Sequence, residues 1–432
     1  MDTSILKKFA ISARQKLINQ IKTKANFFNI TEDAAQNFKK MTTTSDSITI
    51  NGKTYNRQIK VKWENLNNSV KSKGFEQVIE EVAYTWFNRF IALRFMECNG
   101  YIERVLSSST EGRHDPDIII HAESLDLPGI DSAKVAKLKD ESRTEELYRM
   151  LIISKCNQLH SWMPFMFEKI DDSRDYTELL IPDGLLNEGS VVRDIVSEIP
   201  EEDWKNVEII GWMYQFYVSE KKDAVFAGLA KNIKVTPENI PAATQLFTPK
   251  WIVKYMVENS VGRYWLESHD NDDLKSKWKY YITPAEQPPD VIEKLNEIKV
   301  KDLNPETIKI IDPACGSGHM LVYAFDVLYD IYKLCGYVDR DIPKLIIEKN
   351  LHGLDIDRRA VQLASLCLVM KGREKNRRFF NEQVDINLLH VSKPENITDE
   401  GIEHFVGKDG KNRFNEVKEF IECFKDADNL GS

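Results

Sequence analysis

The stretch TIKIIDPACGSGHMLVYAFDVLYDIYKL, residues 307–334, constrains this chain more than any other. Residues 307–311 are β-branched or apolar except for Lys309, the pattern of a central parallel strand buried on both faces. Asp312 ends that strand, a small-residue loop follows, and an apolar helical pattern begins at about His319. Gly316 and Gly318 permit a sharp turn and a close backbone approach, and the helix then aims its N-terminus at whatever lies above the strand. A strand, a glycine loop and a helix in this order predict a ligand site at the carboxyl edge of a sheet in an α/β domain.

The spacing argues against a dinucleotide. A third glycine is required three residues after Gly318, but position 321 is Leu. Asp312, directly before the loop, suits a cationic ligand better than a pyrophosphate. The following strand ends in LHGLDID, which puts Asp355 at a carboxyl end, where it can accept both ribose hydroxyls of a nucleoside. Asp357 reads as the cap of the next helix. Upstream, in ATQLFTPKWIVKYMVENSVGRYW, Thr248 reads as an N-cap and Pro249 as a first helical residue. A third strand is expected at DINLLHV and a helix over FNEVKEFIECFKDAD.

Ahead of this region the pattern is helical. Leu6, Phe9, Ala10, Ala13, Leu17 and Ile21 form one stripe of a helix over about 4–24. NLNNSVKSKG reads as a loop. Ile79, Val82, Ala83, Trp86, Phe87, Phe90 and Ile91 recur at helical spacing up to the stop at Gly100, as a core-facing stripe. IIGWMYQFYVSEKKDAVFAG is aromatic-rich and reads as buried. Strands alternate with helices from about 240, which sets a boundary near 235: a mainly helical domain over 1–235, then an α/β domain over 236–432.

Net charge is −9, yet residues 1–74 hold 14 Lys and Arg against 5 Asp and Glu, a local balance of +9. Such a segment is either a phosphate-seeking surface or a solvated helix face. No apolar run approaches the roughly 20 residues a bilayer span needs, and the first residues have no apolar signal core. Six scattered cysteines without a CxxC pair fit a reducing cytoplasm better than a disulfide framework or a zinc site.

The FTP segment, DPACGSG and the strand-end acid together resemble the amino-methyltransferases of DNA, in the branch where FTP precedes the glycine loop. Three longer stretches, GFEQVIEEVAYTWFNRFIALRFMECNGYIERVLSS, IIGWMYQFYVSEKKD and the FTP segment with its flanks, resemble the N-terminal portion of the adenine-specific DNA methyltransferases of BREX phage-defence systems, the PglX family. The resemblance implies a Rossmann-like, doubly wound α/β methyltransferase fold, here truncated, behind a mainly α-helical domain. It also implies S-adenosyl-L-methionine as cofactor, with Phe247, Thr248 and Pro249 on the methionine side. Asp312, Ala314, Gly316 and Gly318 would cradle the amino-acid part and Asp355 the ribose. Double-stranded DNA is the implied substrate of the full-length protein, other phage-defence proteins are possible partners, and no metal or membrane is implied.

The departure from that family is equally specific. Transfer to an exocyclic amine uses an Asn/Asp/Ser-Pro-Pro-aromatic segment that holds the flipped base, and no such segment occurs here. Pro288–Pro289 has no aromatic beside it, precedes the glycine loop, and reads as linker. No Pro-Cys dipeptide supplies a thiolate, and Cys315 reads as a small loop residue. In DPDIIIHAESLD a Leu stands where a nuclease motif needs lysine. The catalytic residue set is therefore empty, and the alternative is a module that binds the cofactor or partners without turnover. If the basic segment contacts phosphates, DNA binding should weaken steeply with salt, and Lys7→Glu with Lys8→Glu should flatten the slope in filter-binding titrations. A salt-independent signal would leave it a solvated face.

Overall fold

Leu6, Phe9, Ala10, Ala13, Leu17 and Ile21 are all buried along α1 (Thr3–Phe27), whose N-terminus is capped by Asp2 accepting from the Ser4 N–H at 2.8 Å. The computed structural model describes residues 2–33, 37, 41–169, 175–236, 239–394, 397–407 and 413–427. These fall into two compact units, 1–217 and 218–432.

The first unit is mainly helical. After α1 comes a small antiparallel sheet of β1 (Thr42–Thr43), β2 (Ser47–Ile50) and β3 (Lys53–Asn56). Asn51 and Gly52, both at positive φ, make the turn between β2 and β3, as an Asn-Gly pair between alternating strands should. No sheet is expected here from the sequence. NLNNSVKSKG, expected as a loop, instead lies within and just past α2 (Arg57–Lys73). Asn56 caps that helix by accepting from the Ile59 N–H, and Trp63, Leu66 and Val70 bury one face at helical spacing. That apolar stripe outweighs the low helix propensity of the asparagines.

The expected aromatic helix is α3 (Phe75–Cys98), with Ile79, Val82, Ala83, Trp86, Phe87, Phe90 and Ile91 all buried. Its Arg94 and Glu97 are buried together at 2.6 Å, and the second Glu97 oxygen accepts the Val105 and Leu106 N–H groups at 2.7 and 2.8 Å. The basic surplus near the N-terminus is largely answered within the unit: Arg14 pairs with Glu80, Lys16 with Asp194, Lys24 with Asp183 and Lys62 with Glu178. Lys7 and Lys8 are exposed. α4 (Thr144–His160) and α5 (Glu208–Tyr217) complete the principal helices of this unit.

In the second unit, α6 (Ser219–Leu229) contains no buried residue, so only the first half of the aromatic run 209–228 is core. α7 (Lys250–Val257) runs through one π turn, Glu258–Gly262, into α8 (Arg263–Ser268). Pro288–Pro289 is not linker, because it opens α9 (Pro289–Ile298), where proline's fixed φ suits the first turn.

Strands β4 (Ile310–Asp312), β5 (Leu351–Asp355) and β6 (Leu388–His390) form a parallel sheet in the order β4-β5-β6. α10 (His319–Leu334) and α11 (Arg358–Lys375) pack on each other and on β5. Leu351 and Leu388 are buried, whereas Ile311 and Leu389 are 64% and 61% exposed. One sheet face is thus covered and the other open among the described residues. A last helix, α12, spans Phe414–Cys423, and position 428, the end of the expected stretch, lies outside the described residues.

The first of these strands is shorter than expected and lies at the edge of the three, with Asp312 paired to Gly353. Residues 305–307 make a 3-10 turn instead, capped by Asn304. The fully buried Asn350 fixes this start: its amide donates to the Pro305 and Ile308 carbonyls, each at 2.8 Å, and its oxygen accepts from the Tyr332 hydroxyl at 3.0 Å. Asn350→Leu leaves two carbonyls and a hydroxyl unsatisfied, so it should destabilise the second unit by about 2–4 kcal/mol in urea unfolding. A loss below about 0.5 kcal/mol would overturn that role.

Candidate functional site

The loop after β4 is held against β5 by two backbone ties. The Cys315 N–H donates to the Leu354 carbonyl at 2.9 Å, and the Gly316 N–H donates to Asp355 Oδ2 at 2.7 Å. The other carboxylate oxygen of Asp355 accepts the Asp357 N–H at 2.7 Å. Asp355 therefore joins the glycine loop, the end of β5 and the turn into α11, while each oxygen keeps lone-pair capacity for a further donor. Asp357 caps α11 by accepting from Arg359 N, as its position in the sequence suggested.

Asp312 accepts from the Ala314 N–H at 3.2 Å. Burial raises its carboxyl above the ordinary aspartate range, and the nearby Asp355 adds to that rise. Asp355 is raised as well, mainly by burial, despite its two backbone donors. Neither forms an ion pair with a base among the described residues. The Cys315 thiol is buried and pushed up to about 12, so it is inert as a nucleophile near neutral pH.

Gly316 and Gly318 have φ of +52° and +86°, in the left-handed region. At Gly318 the requirement is doubled, because a Cβ there would lie 2.9 Å from the Cβ of Ala364 on α11. The same close packing recurs at Gly353 on β5, where a Cβ would meet Leu388 at 2.7 Å and Leu321 at 2.9 Å. At Gly316 and Gly318 the loop thus has only backbone to present above the sheet edge.

The FTP segment meets the end of this loop through a ring contact. Phe247 and His319 stand edge to face, centroids 3.9 Å apart, and His319 is the first residue of α10. Burial lowers the His319 pKa to about 4, leaving a neutral ring whose Nδ1 is 3.2 Å from the Ser317 hydroxyl. Thr248 is half-buried and Pro249 exposed. The expected caps shift by one residue: Pro249 occupies the cap position without a side-chain bond and α7 begins at Lys250, since the extended ψ of 139° at Pro249 keeps it outside the helix. Of the residues singled out in the sequence, Phe247, Asp312, Ala314, Gly316, Gly318 and Asp355 are tied to this loop or its helix, whereas Thr248 and Pro249 follow as chain neighbours of Phe247.

Two participants escaped the sequence reading. The sequence marks His319 only as a helix start directly after Gly318. Glu258 had no sequence signal, because its partner Tyr323 lies far along the chain, with its hydroxyl 2.6 Å from Glu258 Oε1.

Residues 288–401, which include the loop and all three parallel strands, match the family described as MmeI, DNA-methyltransferase domain. The chain is 42% identical over 402 residues to the adenine-specific methyltransferase BrxX of Escherichia coli O9:H4 (strain HS), a match covering 90% of this chain and 32% of that protein. It is 40% identical over 428 residues to the adenine-specific methyltransferase PglX of Lacticaseibacillus casei (strain Zhang), covering 90% of this chain and 34% of the relative. A putative type II restriction enzyme and methyltransferase of Methanocaldococcus jannaschii is 24% identical over 321 residues, 67% of this chain and 24% of that protein. The chain spans about one third of the length of BrxX and PglX. Over the stretch it covers, it belongs to the BrxX/PglX family of BREX adenine-specific methyltransferases.

Proposed function

We propose that the second unit binds S-adenosyl-L-methionine at the carboxyl edge of the parallel sheet, as part of a doubly wound, Rossmann-like methyltransferase domain. In this reading the domain serves methyl transfer to the exocyclic amine of adenine in double-stranded DNA, in phage defence. The observation that carries the reading is the pair of half-buried carboxylates, Asp312 and Asp355, raised by burial and in no ion pair among the described residues, with His390 only partly offsetting the rise at Asp355. A cationic ligand relieves that unfavourable charge, whereas a pyrophosphate would compound it. The donor set fits the group: Asp312 for the ammonium end, Asp355 for the ribose hydroxyls, backbone at Gly316 and Gly318, and an aromatic edge at Phe247.

Each residue then has a task. Asp355 accepts the ribose hydroxyls while still holding Gly316. Asp312, Ala314, Gly316 and Gly318 surround the amino-acid end, with Phe247, Thr248 and Pro249 along the methionine side. The cofactor supplies an already activated methyl group, so the chain contributes positioning and electrostatics. No residue here is assigned to hold the target base, because the sequence contains no Asn/Asp/Ser-Pro-Pro-aromatic segment. These 432 residues are accordingly proposed to bind the cofactor without transferring its methyl group by themselves. We place the protein in the cytoplasm, with DNA and other defence proteins as its partners. Among the described residues no helix is long and apolar enough to cross a membrane, and no group of side chains could hold a metal ion.

Titration calorimetry should show S-adenosylmethionine binding and no NAD binding, with Asp355→Ala weakening the former by about one to two decades. Unchanged affinity in that variant would remove Asp355 from the site. The pH dependence has a definite sign. Because both folded-state carboxyl pKa values are raised, the stability these groups contribute is fully present below their unfolded pKa values and is lost as pH rises through the folded ones. The same ionisation creates the charge that attracts the ligand. The melting-temperature increment from S-adenosylmethionine should therefore grow from acid pH toward neutrality, and an increment flat with pH would contradict the carboxylate pair. Tritiated methyl transfer to unmethylated DNA should be absent for these 432 residues alone, and transfer abolished by Asp312→Ala would refute that statement.

A further inference from the structure

Glu258 is 1% exposed, yet it carries a carboxylate into the interior of the second unit. One oxygen accepts from the Tyr323 hydroxyl at 2.6 Å, the other from the Tyr280 N–H at 2.6 Å. It opens the π turn Glu258–Gly262, and π turns inside helices are frequent at functional sites. Tyr323 lies one helical turn beyond His319 on α10, so the two share a face.

That face of α10 is fastened to the 247–280 segment at successive heights. His319 meets Phe247, Tyr323 meets Glu258, and Asp330 accepts from the Trp278 indole N–H at 3.3 Å and pairs with Lys277 at 2.7 Å. The Trp278 ring in turn lies against Gly262, where a Cβ would sit 3.0 Å away. Asn259 adds two bonds to the same segment, donating to the Tyr280 carbonyl at 2.7 Å and accepting from the Ile282 N–H at 2.8 Å. The Phe247 contact sits at the glycine loop, and the Glu258–Tyr323 bond is the next tie along α10.

We propose that Glu258 and Tyr323 are positioning residues whose hydrogen bond sets the height of the FTP segment against the glycine loop, and so the affinity for the methionine end of the cofactor. This rests on the cofactor reading above. A buried carboxylate bonded to a hydroxyl across two helices is a directional tie, unlike the apolar contacts of α7, which tolerate sliding. Freed of it, α7 keeps its buried Val253 and Val257 but loses its fixed register on α10.

The test measures binding of S-adenosylmethionine and of adenosine, which lacks the methionine end, to the full 432-residue chain and its Tyr323→Phe, Glu258→Gln and Asp355→Ala variants, with a thermal melt of each. Tyr323→Phe should weaken S-adenosylmethionine by about 3- to 30-fold and leave adenosine within about 2-fold. Glu258→Gln, of nearly the same volume, should do likewise and serves as the second variant if the first fails to fold. Asp355→Ala should weaken both ligands. Equal loss of both ligands in Tyr323→Phe and Glu258→Gln, or no loss of either, overturns the positioning role while the cofactor reading stands. Absence of S-adenosylmethionine binding by the unaltered chain, or indifference to Asp355→Ala, removes the reading itself and the proposal with it.

Discussion

The carboxylate of Asp355 holds the second unit's site together. Its two oxygens take one N–H from the glycine loop and one from the turn into α11, so a single side chain at a strand end defines three pieces of backbone. A loop of small residues has little side-chain packing of its own and a large conformational entropy to lose. A charge-assisted bond to its backbone supplies the order that packing cannot. The cost is a carboxylate held half-buried near a second one, Asp312.

Buried charges in both units find partners. In the first, buried charges are matched: Arg94 with Glu97, Lys62 with Glu178, and Lys155 with Glu103 at 2.8 Å. Such pairs bring directional order to a helical core, although their net contribution to stability is small because desolvation offsets attraction. In the second, Asp357 pairs with Arg359 and Lys371 with Asp326, Glu258 is satisfied by hydrogen bonds from Tyr323 and Tyr280, and Asp312 and Asp355 form no ion pair among the described residues. The unmatched pair is the one at the sheet edge. Ionisable groups shifted by burial beside a backbone-lined loop are a recognisable mark of a candidate site.

Strand-loop-helix order, the strand-end position of Asp355, the cap at Asp357 and the core stripe of α3 were legible in the sequence, because each depends on residues close together in the chain. Readings that failed were also local, but tertiary packing decided them. The asparagine-rich stretch became helix because Trp63, Leu66 and Val70 had a core to face. Pro288–Pro289 opened a helix where the chain alone suggested a spacer. Thr248 lost its capping role to an extended Pro249.

By itself, then, the sequence determined the glycine loop, the acids at its rim and the family to which they point, because backbone conformation and charge at the loop are written in adjacent residues. It also determined that no base-holding Pro-Pro-aromatic segment lies within these residues. Only the tertiary structure decided that Asp355 would bind Gly316, that Phe247 would meet His319, and that Glu258 would reach Tyr323 across 65 positions of chain. Those contacts join residues that no periodicity connects. They form because helix packing and parallel strand register, not local propensity, bring distant backbone within hydrogen-bonding reach.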